Sequence, residues 1–86
     1  MEFEFDPNKS EANKRKHGID FVLAQALWED PDRLFVPART EGEPRFMLIG
    51  KLSGRHWSAI FTVRSDKVRI VSVRRSREKE VTAYEN

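Results

Sequence analysis

Cationic side chains are concentrated between residues 64 and 77 of the 86-residue sequence. This segment holds six cations against a single acid, Asp66; the cations are Arg64, Lys67, Arg69, Arg74, Arg75 and Arg77. A guanidinium group stays charged at neutral pH, and its fork can hold two oxygens of one phosphate. Such a concentrated positive field attracts polyanions, nucleic acid above all. The alternative is a solvated basic face that pairs with acids of the same chain.

A helix predicted over residues 7–17 carries a stripe of polar side chains. Asn13, Lys16 and His17 are spaced i, i+3 and i+4, so they share one helix face. This face offers an amide, an ammonium and an imidazole, and imidazole is the group that exchanges protons near neutral pH. The alternative for His17 is a cation that only stabilises the end of the helix beside Gly18.

Glu80 and Tyr84 lie about one helical turn apart in the last predicted helix. A carboxylate beside arginines could act as a base, and Tyr84 could donate a proton or stack on a nucleobase. The alternative is structural: Tyr84 packs on the sheet while Glu80 pairs with Arg77. His56, at the edge of a turn, is expected to be structural. No group of His, Asp and Glu has the spacing of a metal site, so we expect neither metal nor cofactor.

Length and composition predict one small cytoplasmic domain. A chain of this length buries only about 60–65% of the surface that its unfolded form exposes, so its stability should be modest. There is no cysteine, which excludes disulfides and thiolate metal sites. No apolar run approaches the roughly 20 residues of a membrane span, and the acidic start MEFEFD is unlike a secretory signal. Residues 1–43 carry six cations and ten acids, whereas residues 44–86 carry ten and four.

The predicted elements are two helices, an antiparallel meander and a final helix, which together make an α+β domain. Asp6 begins the first helix and Gly18 ends it, and Asp20 begins a second helix that runs to about Glu29. Ser76 is expected to cap the last helix. Short loops between the strands indicate antiparallel hairpins. The predicted strands are 33–38, 45–52, 56–64 and 67–75, with a possible short extra strand at 2–5.

Alternation along residues 56–64 divides this strand into two faces. One face should pack against the helices and consists of Trp57, Ala59, Phe61 and Val63. The other should be an exposed, semi-polar surface and consists of His56, Ser58, Ile60, Thr62 and Arg64. Alternation also sends Arg74 and Arg75 to opposite faces, so only one of them can lie with Arg64. The sequence does not fix which one.

The sequence resembles the BrnT toxins over nearly its full length. Its opening, FEFDPNKSEANKRKHGIDF, has an aromatic–acidic strand, Asp-Pro, and then Asn-x-x-Lys-His-Gly-Ile. The remainder, RFMLIGKLSGRHWSAIFTVRSDKVRIVSVRRSREKEVTAYE, has Phe-Thr-x-Arg, then Arg-Ile-x-Ser-x-Arg-Arg, and Tyr-Glu in the final helix. These motifs occur in order and at compact spacing, so the resemblance is more specific than any single short motif.

BrnT proteins are toxins of bacterial type II toxin–antitoxin modules and have a RelE-like fold. The resemblance implies an endoribonuclease that needs no metal, because the 2′-hydroxyl of the RNA is the nucleophile. It also implies neutralisation by a BrnA-like antitoxin, contact with DNA only through the antitoxin complex, and a dimer or heterotetramer with the antitoxin. The alternative is a catalytically inactive RNA- or antitoxin-binding module of the same fold that acts in operon autoregulation. A DNA-binding regulator is disfavoured because no helix-turn-helix pattern is visible.

For RNA cleavage we expect catalytic roles for Arg64, Arg74, Arg75, His17, Glu80 and Tyr84, and RNA-binding roles for Asn13, Lys16, Arg69 and Arg77. The arginines would stabilise charge on the phosphorane, because a guanidinium is too weak an acid to lose its proton. The sequence does not assign the base and the acid among the other groups. The 39–44 loop is shorter and poorer in aspartate than the family pattern, which should affect antitoxin contacts before chemistry.

Overall fold

The computed structural model describes residues 1–38 and 41–86, so the first two residues of the predicted 39–44 loop lie outside the described part. The strands are β1 (Glu2–Glu4), β2 (Leu34–Pro37), β3 (Phe46–Leu52), β4 (Arg55–Arg64) and β5 (Lys67–Arg75). The helices are α1 (Pro7–His17), α2 (Phe21–Ala24) and α3 (Glu78–Glu85), with a 3₁₀ helix over Gln25–Glu29. The strands form one sheet in the order β1-β5-β4-β3-β2. The predicted α+β class is confirmed.

Strands β2 to β5 form the predicted antiparallel meander. The two-residue turns have positive φ at both positions, 51° and 80° at Ser53–Gly54 and 49° and 64° at Ser65–Asp66. This backbone matches the right-handed twist of hairpin strands. The short strand β1 exists and pairs in parallel with β5, so the sheet is mixed rather than purely antiparallel.

Helix α1 begins and ends where its caps predict. The Asp6 carboxylate accepts the Asn8 backbone N–H at 2.8 Å, and Gly18 takes the left-handed conformation with φ 84°. The inner side of α1 is polar: its buried residues are Ser10 and Asn13. The Ser10 hydroxyl accepts the Phe21 backbone N–H at 2.9 Å, so a hydrogen bond joins α1 to α2.

The second predicted helix is only partly α-helical. Asp20 caps it as expected by accepting the Leu23 backbone N–H at 2.8 Å, but the α-helix ends at Ala24 and continues as the 3₁₀ segment. The 3₁₀ segment approaches β3 closely at Gly50, where a Cβ atom would lie 3.3 Å from the Leu27 carbonyl oxygen. The prediction of one continuous helix was wrong, and the tighter winding accompanies this close packing on the sheet.

One face of β4 packs against the helices as predicted, except at its end. Trp57, Ala59 and Phe61 are buried, but Val63 is 53% exposed because it lies beside the exposed β4–β5 turn. The opposite face was predicted to be exposed, and this too is wrong at two positions. Ser58 and Thr62 are buried: Ser58 lies beneath α3, and the Thr62 hydroxyl donates to the Pro44 carbonyl at 2.8 Å.

Helix α3 lies on this second face and is held by polar contacts. Its N-cap is Arg77 rather than the predicted Ser76, whose hydroxyl is hydrogen-bonded to that of Ser58 at 2.8 Å. The Glu80 side chain accepts the Arg77 backbone N–H at 2.9 Å and completes the cap. None of the α3 residues is fully buried. Within the described ranges, no helix has the length and apolar character needed to cross a membrane.

Three large apolar side chains are exposed on the face of the sheet that carries Trp57, Ala59 and Phe61. They lie on β2, β3 and β4. Phe35, Phe46 and Val63 are 49%, 37% and 53% exposed. The rings of Phe35 and Phe46 lie 6.1 and 5.7 Å from the ring of Phe61, and Val63 follows Phe61 by two residues on the same face of β4. Contiguous exposed apolar surface of this kind is typical of protein interfaces.

Candidate functional site

The predicted site arginines lie at two separate ends of the sheet. Arg74 is opposite Ser58, and Arg64 lies six residues beyond Ser58 along β4. The Cα atoms of the two arginines are therefore about 20 Å apart. They share the α3-bearing face, because Ser58 and Arg64 alternate in phase. The structure therefore identifies Arg74 as the arginine on the face of Arg64. It also shows that the two cannot hold the same phosphate.

Three of these arginines hold carboxylates of the same chain. Arg64 Nε lies 2.7 Å from a Glu43 carboxylate oxygen, and Arg69 Nη1 lies 3.0 Å from one of Glu4. Arg74 binds Glu80. Arg64 and Glu43 are substantially exposed, with 53% and 37% of their side chains accessible, so their pair contributes little to stability. A phosphate could replace the carboxylate there at small cost.

Glu80 lies at the centre of a group of hydrogen bonds that joins α3 to the sheet. Arg74 Nη1 and Nη2 each donate to one of its carboxylate oxygens at 2.8 Å, and the Ser58 hydroxyl donates to it at 2.8 Å. The Arg74 hydrogen bonds, assisted by those from the Arg77 backbone and Ser58, lower the pKa of Glu80 to about 2. A carboxylate this acidic is a weak proton acceptor at neutral pH. The contacts of Glu80 thus favour a role in holding α3 over the predicted role as base.

Replacing Glu80 by glutamine is expected to lower the free energy of unfolding at pH 7 by about 3 kcal/mol. The folded-state pKa lies below the ordinary value of 4.5, so this stabilisation is complete above about pH 4.5 and is lost as the pH falls towards 2. Urea unfolding of the wild-type protein and of Glu80→Gln at pH 7, 4.5 and 3 measures the difference in their free energies of unfolding. This difference should become smaller as the pH falls. Glu78→Gln, in the same helical turn but exposed, is the control. A difference that does not change with pH would contradict the assignment.

Tyr84 and His56 also connect α3 to the rest of the fold. The Tyr84 hydroxyl donates to an Asp30 carboxylate oxygen at 2.7 Å. Burial, together with this hydrogen bond to a carboxylate, raises the pKa of Tyr84 to about 12. Such a phenol is a poor proton donor near pH 7, and its hydrogen is already committed. His56 Nε2 lies 2.6 Å from a Glu85 oxygen, and its ring meets that of Tyr84 edge-on.

Asn13 is buried, with only 7% of its surface exposed, and bonds to the free edge of β5. Its amide nitrogen donates to the carbonyls of Ile19 at 2.8 Å and Val73 at 2.9 Å, and its oxygen accepts the Val73 N–H at 3.2 Å. The Asn13 side chain thus forms the two hydrogen bonds to Val73 that a neighbouring strand would form, at a point on β5 beyond the end of β1. This corrects the expectation that Asn13 shares an accessible face with Lys16 and His17.

The remaining predicted residues surround the end of the sheet where β5 finishes and β4 begins. His17 follows Asn13 by one helical turn, and Arg75 follows Val73 by two strand residues, so both lie beyond the Asn13–Val73 contact. The Arg75 guanidinium lies 5.6 Å from the centre of the Trp57 ring. We call this surface the basic end; its members are Lys16, His17, Arg55, Arg75 and Arg77.

Within the described ranges, none of the five side chains of the basic end forms an ion pair. Four are exposed and His17 is partly buried. Arg55 was missed in the sequence. The signal was its place directly after the Ser53–Gly54 turn, because β4 and β5 are antiparallel and the start of β4 must lie beside the end of β5. The basic end therefore presents four exposed cationic side chains, with His17 partly buried, at one end of the sheet.

Comparison with known proteins identifies the family. The family model described as ribonuclease toxin, BrnT, of type II toxin–antitoxin systems matches residues 5–80. Among curated proteins, none matches the chain. The matched region contains every strand from β2 to β5 and the whole of α1, and it includes all members of the basic end. The chain belongs to the BrnT family of ribonuclease toxins from type II toxin–antitoxin systems.

Proposed function

We propose that this chain cuts RNA at the basic end, without a metal, as the toxin of its module. The observation that carries the proposal is a group of five cationic or imidazole side chains at one end of the sheet, none of which pairs with an acid of residues 1–38 or 41–86. The chain has 14 acidic residues, yet within the described part of the structure none of them forms an ion pair with these side chains. Like charges held together in this way are stabilised by an external polyanion.

The proposed reaction is attack of a ribose 2′-oxygen on the adjacent phosphorus. The bond to the 5′-oxygen breaks, leaving a 2′,3′-cyclic phosphate on one product and a 5′-hydroxyl on the other. Arg75 and Arg55 would stabilise the charge that develops on the phosphorane oxygens. His17 would transfer a proton to or from the reacting oxygens, because imidazole suits this task near pH 7. Lys16 and Arg77 would hold neighbouring phosphates.

The other predicted residues take indirect roles in this proposal. Glu80, Arg74 and Tyr84 would position α3 and with it Arg77, rather than react themselves. Arg64 and Arg69 lie towards the opposite end of the sheet, so only a longer RNA would reach them. We further propose a BrnA-like antitoxin as the protein partner, a RelE-like fold and a cytoplasmic location. The exposed patch of Phe35, Phe46 and Val63 supports a protein partner.

One observation favours a second candidate, a chain that binds RNA or antitoxin and does not cut. Arg64, Arg69 and Arg74 each hold a carboxylate of the chain, so these three predicted arginines do not converge on one pocket. The two candidates agree on the binding surface and differ only in chemistry. A test of cleavage therefore separates them.

The purified protein is expected to cut bulk RNA in the presence of EDTA. Because the proposed nucleophile belongs to the RNA, cleavage should leave 2′,3′-cyclic phosphate ends, and RNA with a 2′-O-methyl group at the cut position should resist. The loss of full-length RNA over time measures cleavage in EDTA and the resistance of the 2′-O-methyl RNA. Mapping of the product ends detects the cyclic phosphate. Intact RNA under these conditions would support the binding module, and cleavage that requires added metal would overturn the proposed chemistry.

A further inference from the structure

A cavity of about 340 Å³ opens beside the basic end, between the α1–α2 connection and the β3–β4 turn. The lining mixes apolar side chains with one hydroxyl and one guanidinium; these residues are Ile19, Leu23, Leu52, Trp57, Ser53 and Arg55. Gly18, which directly follows His17, also lines it. The cavity is therefore continuous with the surface assigned to RNA cleavage.

The cavity combines apolar side chains with cationic ones. Leu23 is 54% exposed at its wall, and the buried Trp57 ring carries the Arg75 guanidinium 5.6 Å from its centre. Arg55 lines the cavity itself. A nucleotide has the matching arrangement, because its flat base is apolar on both faces and is joined to a charged phosphate. The volume lies at the small end of the range for ligand sites, which suits a single base and its sugar.

We propose that this cavity holds one nucleobase next to the phosphate that is cut, and that Leu23 is a specificity-determining residue. The inference rests on the proposed function for its substrate class. An antitoxin segment is the less favoured occupant, because the larger exposed apolar patch of Phe35, Phe46 and Val63 lies elsewhere on the sheet.

The nearest acid along the chain restricts how a nucleotide can enter. Asp20 follows Ile19, and its carboxylate accepts the Leu23 backbone N–H at 2.8 Å as the cap of α2. Its charge disfavours a phosphate beside it, whereas Arg55, which lines the cavity, and Arg75 attract one. Both arginines belong to the basic end, so the bound phosphate is expected on the side of the proposed reacting groups.

The apolar part of the lining, with Leu23 as its exposed member, recognises a base by contact area rather than by hydrogen bonds to its edge. The larger purine ring should therefore be preferred over a pyrimidine at the position that enters the cavity. Stacking on side chains contributes enough for a preference of about tenfold. The protein is thus expected to select purine at one position of its substrate and to tolerate any base at the others.

The test measures the affinity of short 2′-O-methyl oligonucleotides that carry purine or pyrimidine at each position in turn. The 2′-O-methyl group blocks the proposed nucleophile, so binding is measured apart from cleavage. The wild-type protein should show the purine preference at one position, and Leu23→Trp, which fills the cavity, should abolish it and weaken binding about tenfold. Leu23→Ala, which removes part of the apolar lining, should reduce both the purine preference and the affinity. Val22→Trp is the matched control, being 64% exposed on the same helix but outside the cavity lining.

Equal affinity and equal base preference in Leu23→Trp and Val22→Trp would overturn the inference and leave the cavity to a protein segment. Failure of the wild-type protein to bind any of the oligonucleotides would overturn it as well. A purine preference that disappears in Leu23→Trp would support the inference even if the unmodified RNA stayed uncut. In that case only the proposed nuclease activity would fail.

Discussion

Replacing His17 by alanine is expected to lower the rate of RNA cleavage by 100-fold or more. Transfer of a proton by a positioned side chain contributes about 10²- to 10⁴-fold in enzymes, and the other predicted groups are poorly suited to it. Glu80 is held as a carboxylate with a pKa of about 2, and the Tyr84 hydroxyl has a pKa of about 12 and donates to Asp30. His17 is left as the predicted proton-transfer group at the basic end.

Three arginine variants test the location of the site independently of proton transfer. Arg75→Ala should slow cleavage by about 100-fold, as expected for a group that stabilises the transition state. Arg45→Ala removes the same charge from an exposed position outside the basic end and should change the rate less than threefold. Arg64→Ala should resemble Arg45→Ala for short RNA substrates. Equal losses in Arg64→Ala and Arg75→Ala would show that the basic end is the wrong surface.

Rates are compared at saturating and at limiting RNA for each variant, with thermal unfolding as a check on the fold. A loss confined to limiting RNA would indicate that His17 only binds the substrate. A His17→Ala protein that cuts at the wild-type rate would return His17 to the alternative role, stabilisation of the C-terminal end of α1.

The elements that could be predicted from the sequence are those fixed by neighbouring residues. The limits of α1 follow from Asp6 and Gly18, each of which acts within a few residues of its own position. The β4–β5 hairpin follows from a two-residue turn between apolar strands. The motifs that indicate the BrnT family are of the same kind, because they are short and ordered along the chain.

Contacts between distant parts of the chain could not be predicted in this way. Arg69 pairs with Glu4, 65 residues away, because the parallel strand β1 lies beside β5. Alternation also fails across a β-bulge: Ile60 pairs with Ser72 and Phe61 with Ile70, so Val71 has no partner on β4. Sequence spacing indicates which residue types could form a site, but the sheet topology decides which of them meet.

Asn13→Ala is expected to lower the free energy of unfolding by about 3–5 kcal/mol. The substitution leaves the buried N–H and C=O of Val73 and the C=O of Ile19 without the partners that Asn13 provides. Each unsatisfied buried group costs about 1–3 kcal/mol, and a domain of this size has little stability to lose. Urea unfolding at pH 7 measures the change in the free energy of unfolding. The free energy of opening obtained from hydrogen exchange at the Val73 amide should fall by a similar amount.

Asn8→Ala is the matched control, because Asn8 is an exposed asparagine of the same helix and should cost less than about 0.5 kcal/mol. Asn13→Asp keeps the size and the acceptor but removes both donors and adds a buried charge, so it should be at least as destabilising as Asn13→Ala. If Asn13→Ala lost less than 1 kcal/mol, α1 would not be completing the edge of β5. The placement of His17 and Arg75 at the same end of the sheet would then lose its support, because the Asn13–Val73 contact is what joins the helix to the strand.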